Sequence, residues 1–145
     1  MKRVFLAILC CVLLIGSIPV ASFAAMGGGE IAVPLYNNTT LANAKFSINS
    51  EGVATVSITY VGIPGVSQSA TIVTKLEKQN ANGSWSIVEI GTTDNVWIDT
   101  TTKTTLLVTH SATVSHGTYR AVINYTISGT GGTADNIEKI IEYTY

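Results

Sequence analysis

Apolar and polar residues alternate along most of the chain beyond residue 40. Because successive side chains of a β-strand point to opposite faces, this period of two predicts strands with one buried and one solvated face. No stretch of helical length has an apolar repeat of 3.6 residues. The positions predicted to face inward are Ala44, Phe46 and Ile48; Ala54, Val56, Ile58 and Tyr60; Ala70, Ile72, Thr74 and Leu76; Leu106, Val108, His110, Ala112 and Val114; and Tyr119, Ala121, Ile123, Tyr125 and Ile127.

Turn-rich segments separate these runs. Asn82-Gly83 is typical of a tight hairpin, since both residues readily adopt positive φ. The segments "VGIPGVS" and "SGTGGTADN" break the alternation in the same way. With the shorter runs "SWSIVEIG" and "NIEKIIEYTY", the pattern predicts about seven strands in an all-β, antiparallel two-sheet sandwich. We assign this domain to residues 41–145.

The first 24 residues have the pattern of a signal peptide. Lys2 and Arg3 precede an apolar run, and Ser22-Phe23-Ala24 fits the small-x-small cleavage rule. The alternative is a retained membrane anchor, but the apolar run of residues 4–15 is short for a membrane span. We therefore expect a secreted protein with cleavage after Ala24. Residues 25–40 are predicted to be a flexible arm, with an edge strand at Glu30–Val33.

Processing changes both the cysteine content and the charge. Cys10 and Cys11, the two cysteines of the chain, leave with the predicted signal peptide, so the exported domain has no disulfide. The chain carries eight Lys and Arg and nine Asp and Glu, and removal of Lys2 and Arg3 makes it more acidic. This balance argues against nucleic acid as a partner and against an anionic membrane surface.

The stretch "HGTYRAVINYTISG" contains a glycine and a tyrosine at the start of a predicted strand. This spacing resembles the tyrosine corner of immunoglobulin-type sandwiches, in which the tyrosine hydroxyl bonds to nearby backbone. Gly117 and Tyr119 match it, and Ala121 stands where antibody domains have a cysteine. The resemblance implies an immunoglobulin/fibronectin-type-III-like fold without a disulfide, with Tyr119 and Gly117 in structural roles.

A second resemblance covers most of the predicted mature chain. The segments "TKLEKQNANGSWSIVEI" and "HGTYRAVINYTISGTGG" are similar to those of small secreted single-domain sandwich proteins of Gram-positive bacteria. The resemblance implies a signal peptide followed by one sandwich domain. It assigns no catalytic residue.

Catalytic and metal-binding patterns are not found in the sequence. His110 and His116 have no zinc-site spacing, and no serine lies in a Gly-x-Ser-x-Gly elbow. Glu89, Asp94 and Asp99 are conceivable as paired carboxylates for glycoside cleavage, but such residues are also common in solvated loops. We therefore predict a protein that is not an enzyme and needs no cofactor or metal.

The best candidates for ligand binding are two tryptophans and one polar loop. Trp85 and Trp97 could stack on a sugar or anchor a partner if they are exposed; otherwise they cover the core or a sheet edge. In "TTDNVWIDTTT", the oxygens of Asp94, Asn95 and Asp99 could suit calcium, although three ligands are too few alone. Solvated loop side chains are the alternative.

These features favour an extracellular interaction module that recognises a partner through loops at one end or by strand addition at an exposed edge. At the C-terminal strand, Lys139 and Glu142 would then protect the edge against aggregation. The alternative is a carbohydrate-binding module that uses Trp97, Trp85, Asp94, Asn95 and Asp99. In either case we expect a monomer whose partner is an extracellular protein or a glycan.

Overall fold

The computed structural model describes residues 36–145. The predicted signal peptide (1–24), most of the predicted arm (25–40) and the strand expected at Glu30–Val33 lie outside the described residues. Within the described part, no helix is both long and apolar enough to cross a membrane.

The described residues form eight strands and one short 3-10 turn. The turn is Thr93–Asn95, between the fourth and fifth strands. The strands are β1 (Thr39–Ile48), β2 (Val53–Gly62), β3 (Ser67–Gln79), β4 (Trp85–Ile87), β5 (Val96–Thr101), β6 (Thr105–Thr113), β7 (Thr118–Gly129) and β8 (Asp135–Thr144).

The strands form two sheets in which every pairing is antiparallel. The three-stranded sheet has the order β1-β2-β6. In the five-stranded sheet, β3 pairs with β7 and β7 with β8, while β4 and β5 both pair with β3. The prediction of an all-β protein with two antiparallel sheets is therefore confirmed.

The core lies between the two sheets, and its members alternate as the sequence pattern predicts. All predicted inward positions of β2, β3 and β7 are at most 1% exposed, including the three tyrosines Tyr60, Tyr119 and Tyr125. The inward positions of β6 are only half-buried because β6 is an edge strand. The core is thus fully buried at its centre and partly exposed to solvent at β6.

Two boundaries differ from the sequence prediction. The segment interpreted as a site-like loop contains β5, which pairs Val96–Thr101 with residues 70–75 of β3 and raises the strand count to eight. Its Thr and Asp content is typical of loops, but neighbouring β3 supplies a ladder for its backbone. Also, β1 begins at Thr39, inside the predicted arm, because Asn38 and Thr39 donate hydrogen bonds to Asp135 at the start of β8.

Candidate functional site

Trp85 lies on the outer face of the five-stranded sheet. The β3–β4 hairpin places it there: Asn80 N donates to Ser84 O at 2.8 Å, and Gly83 adopts φ 83° in the turn. Trp85 then pairs with Gln79, whose register position faces away from the core. Glycine is favoured at this turn because a left-handed φ disfavours most residues with a Cβ.

The indole of Trp85 is packed against a charged network. The Arg120 guanidinium carbon lies 4.4 Å from the Trp85 ring centroid, within the range of a cation–π contact. Arg120 Nε donates to Glu77 Oε2 at 2.5 Å, and Lys75 Nζ lies 2.8 Å from Glu77 Oε1. Glu77 is only 8% exposed although it faces outward, because its neighbours cover it.

The environment of Glu77 favours its ionised form. Burial acts to raise the pKa of the Glu77 carboxyl, but the hydrogen bonds and positive charges of Lys75 and Arg120 outweigh it. The pKa of Glu77 is therefore lowered. The network is a fixed charged centre on the outer face of the sheet.

Three exposed isoleucines lie on the same face of the sheet as this network. Ile87 pairs with Glu77 and is 46% exposed, and Ile98 in β5 is 62% exposed. Ile140 in β8 is 48% exposed and pairs with the buried Val122. We call Trp85, Ile87, Ile98, Arg120 and Ile140 the outer-face patch.

Trp97 and Asp99 lie on the opposite face of the same sheet. Asp99 Oδ2 is 2.7 Å from His110 Nε2 in β6, and the Trp97 ring stacks on the His110 ring with centroids 5.0 Å apart. These contacts join β5 of one sheet to β6 of the other. Trp97 is half-buried, so its position fits the alternative in which the tryptophan covers the core or a sheet edge.

The other two predicted ligand residues belong to the 3-10 turn. Asp94 and Asn95 have φ values of 57° and 54°, and Asn95 Oδ1 accepts a hydrogen bond from Ile90 N at 3.2 Å. Trp85 faces the other side of the sheet from Trp97 and Asp99, so the predicted set does not form one site. Within residues 36–145, no three His, Cys, Asp or Glu side chains are grouped so as to hold a metal ion.

A groove of about 370 Å³ adjoins the patch at Ile87. It runs between residues 86–89 and residues 113–115. Lys78 crosses it, donating from Nζ to Ser115 Oγ at 2.7 Å, with the ammonium 5.4 Å from the Tyr119 ring centroid. The groove therefore places the Lys78 ammonium and hydroxyl groups beside the outer-face patch.

Tyr119 and Gly117 organise the end of the sandwich next to this groove. The buried Tyr119 hydroxyl donates to Ser115 O at 2.7 Å, a bond to backbone four residues upstream. Gly117 exchanges two backbone hydrogen bonds with Tyr145, and a Cβ at Gly117 would lie 2.7 Å from Lys78 Cε. A side chain at residue 117 would thus displace the lysine that crosses the groove.

Sequence reasoning missed most members of the outer-face patch. It also missed the charged network beside them, whose signal is visible in the alternation, because Lys75, Glu77 and Arg120 are out of phase with the inward residues of β3 and β7. This phase places all three on the outside. It does not reveal that Glu77 pairs with Arg120 in the β3–β7 register, 43 residues apart.

Comparisons with known proteins add little to this description. No family model and no curated protein matches the chain. One solved structure, titled "X-ray structure of Northeast Structural Genomics Consortium target SoR45", aligns with 72% of this chain and 83% of its own at 15% identity, with a TM-score of 0.38.

Proposed function

We propose that this chain is a secreted, non-enzymatic interaction module that binds a protein partner through the outer-face patch. The observation that carries the proposal is that Ile87, Ile98 and Ile140, each about half exposed or more, share one face of the five-stranded sheet with the Trp85–Arg120 stack. Several large apolar side chains exposed on one face are a feature of interaction surfaces.

The chemistry of the patch suits a protein partner. Trp and Arg are enriched among residues that dominate binding energy, and an apolar surround excludes water from them. Arg120 is held by Trp85 and Glu77 before any partner arrives, so little conformational entropy is lost on binding. The matching surface of the partner would be largely apolar, with a hydrogen-bond acceptor for Arg120.

The carbohydrate-binding alternative has less support. A sugar-stacking tryptophan needs a free ring face, whereas Trp97 stacks on His110 between the sheets and Trp85 is contacted by Arg120. The Asp99 carboxylate is engaged by His110. The polar groups expected to orient a sugar are thus separated from Trp85.

Two further parts of the proposal concern fold family and location. An immunoglobulin/fibronectin-III-like relationship is supported by strand order, since such sandwiches place the first, second and fifth strands in one sheet and the third and the last two in the other. Here β1, β2 and β6 share one sheet and β3, β7 and β8 the other, with β5 as an additional strand on β3. The bond from Tyr119 to Ser115 supports it as well. Secretion by a Gram-positive bacterium rests on the signal-peptide pattern and on the resemblance of the hairpin and tyrosine segments.

The experiment measures binding of the labelled full chain to intact cells of the organism that produces it. We expect Ile98→Glu and Ile140→Glu to weaken binding by about tenfold or more, equal to at least about 1.4 kcal/mol. Leu41→Glu is the matched control, because Leu41 is 43% exposed on the outer face of the other sheet. This variant should bind like the natural chain.

Pretreatment of the cells separates the two partner classes. Protease should abolish binding, and periodate oxidation of glycans should leave it unchanged. Binding that survives protease but not periodate would overturn the proposal in favour of a glycan. Equal losses for Leu41→Glu and Ile98→Glu would show that the outer-face patch is not the binding surface.

A further inference from the structure

The open edges of the two sheets differ in how they are protected. Edge strands are normally blunted by charges, proline, bulges or short length, because their free backbone groups can pair with another strand. In β8 the protecting residues are Glu138, Lys139 and Glu142, and β1 has Lys45 and a register shift between Thr39 and Leu41. The β6 sequence Thr105–Thr113 contains no Asp, Glu, Lys, Arg, Pro or Gly.

The backbone N–H and C=O groups of successive β6 residues point alternately to β2 and to the free edge of the sheet. Thr104 O accepts from Gly62 N at 2.7 Å, and Val114 N donates to Gly52 O at 2.8 Å. The β2–β6 register between these points has no shift, so even-numbered residues direct their backbone groups to β2. The odd-numbered residues therefore direct N–H and C=O groups to the edge that no described strand covers: Thr105, Leu107, Thr109, Ser111 and Thr113.

We propose that β6 pairs antiparallel with β6 of a second copy of this chain, about a two-fold axis at Thr109. The strand is nine residues long and centred on Thr109, so this register pairs its whole length. Thr109 then faces Thr109 of the second copy, and Leu107 faces Ser111. Each odd-numbered residue gains two backbone hydrogen bonds, and the two three-stranded sheets become one continuous sheet.

Charge favours self-pairing of β6 over self-pairing of β8. A two-fold axis places residues at equal distances from the centre opposite one another. In β8, Tyr145 exchanges hydrogen bonds with Gly117, so even-numbered residues direct their backbone groups to the free edge. Pairing about Ile140 would set Glu138 against Glu142 twice, and directly opposed like charges are destabilising. Pairing of β6 about Thr109 opposes no like charges.

Burial supports the same edge. Leu107 is 77% exposed, the highest value among the large hydrophobic residues of the described chain. Leu106, Val108 and Ala112 point inward but stay half-buried at the border of the core. A second β6 would cover Leu107 on one face of the sheet and these three residues on the other. The dimer departs from the monomer expected from sequence.

The test uses a charge exchange at the axis. Thr109→Lys and Thr109→Glu each place like charges opposite one another in the dimer. Each variant alone should therefore be a monomer. The comparison is made by sedimentation velocity at a concentration where the natural full chain is a dimer. An equimolar mixture of the two variants should form a heterodimer, detected by its mass in native mass spectrometry. Restoration by mixing is specific to a register in which residue 109 faces itself.

Ser57→Lys is the matched control. Ser57 is the partner of Thr109 in β2 and lies on the same outer face, one strand away from the free edge. This variant should remain dimeric. The proposal is overturned if the natural chain is monomeric at about 100 μM, a concentration that populates any dimer with a dissociation constant at or below that value. It is also overturned if mixing the Lys and Glu variants restores nothing.

This inference does not depend on the proposed partner surface. The outer-face patch is on the five-stranded sheet, whereas β6 belongs to the three-stranded one. Ile98→Glu tests the patch in the presence of cells, and Thr109→Lys tests the edge with purified protein alone. Failure of either result leaves the other experiment interpretable.

Discussion

At each of the two open sides of the sandwich, one carboxylate links the two sheets. The two carboxylates differ in their burial and in their hydrogen-bond donors. Between β1 and β8, the buried Asp135 accepts three hydrogen bonds, from Asn37 N at 2.9 Å, Asn38 N at 2.8 Å and Thr39 Oγ1 at 2.8 Å. Between β5 and β6, Asp99 is joined to His110 by one contact of 2.7 Å.

The difference lies in the donors as much as in the burial. Two of the donors to Asp135 are backbone N–H groups, which need a partner wherever they are buried. The donor to Asp99 is one side chain that water can also reach, since His110 and Asp99 side chains are 18% and 16% exposed. A carboxylate that satisfies backbone at a strand start therefore determines where the strand docks, whereas the second contact mainly supports packing of Trp97.

A further bond strengthens the β1 side. Tyr125 of β7 is 1% exposed, and its hydroxyl donates to Asn43 O of β1 at 2.7 Å. Burial raises the pKa of Tyr125 to about 12. The β1 side is thus held by two buried polar links between the sheets, and the β6 side by one that is partly solvated.

The largest expected effect is that of Asp135→Asn. Whichever way the amide is oriented, its NH₂ group faces at least one donor, so buried hydrogen bonds to a charged acceptor are lost. We expect the free energy of unfolding to fall by about 3 kcal/mol. Urea denaturation measures it, with Asp94→Asn, an exposed residue of the 3-10 turn, as a control that should change it by less than about 0.5 kcal/mol. Equal effects of the two variants would contradict the comparison.

The second prediction concerns alkaline pH. The unfolded chain ionises Tyr125 near pH 10 and the folded chain near pH 12, so the stabilisation is complete below pH 10 and is lost as pH rises toward and through 12. This residue should remove about 2 kcal/mol from the free energy of unfolding between pH 10 and pH 12. Tyr125→Phe should be less stable at neutral pH but should lose less over that interval. Parallel pH profiles for the two proteins would refute the assignment.

The smallest effect is expected on the β6 side. His110→Gln and Asp99→Asn should each lower the free energy of unfolding by about 0.5–1 kcal/mol, because their contact is partly solvated. Since both variants break the same contact, the double variant should cost less than the sum of the two, and the coupling energy should be below about 1 kcal/mol. A coupling as large as the Asp135 effect would remove the distinction between the two sides.

The sequence predicted which face of a strand each residue takes, but it did not predict which strands pair with one another. The alternation placed Ile58, Ile72 and Ile123 in the core, because a period of two follows from backbone geometry within one strand. It placed Trp97 in a loop, because the pairing of β5 with β3 depends on a strand more than twenty residues away. Local polar composition was misleading there.

The candidate site was predictable only in part for the same reason. Trp85 was identified as a tryptophan able to stack on a ligand, but its stack with Arg120 and the ion pair of Arg120 with Glu77 depend on register between strands. Asp135 has no local sequence signal of its role. Its three donors lie 96–98 residues earlier, beyond the reach of any local pattern.

That separation bears on the order in which the molecule assembles. The start of β1 cannot be fixed until β8 begins to form, since the acceptor for Asn37, Asn38 and Thr39 is at residue 135. The β7–β8 turn adds to this, because Gly131 N donates to Asn38 Oδ1 and a Cβ at Gly131 would collide with Asn37 O. A nascent chain that has not reached residue 135 can therefore pair β1 with β2, but it cannot yet attach the start of β1 to the second sheet.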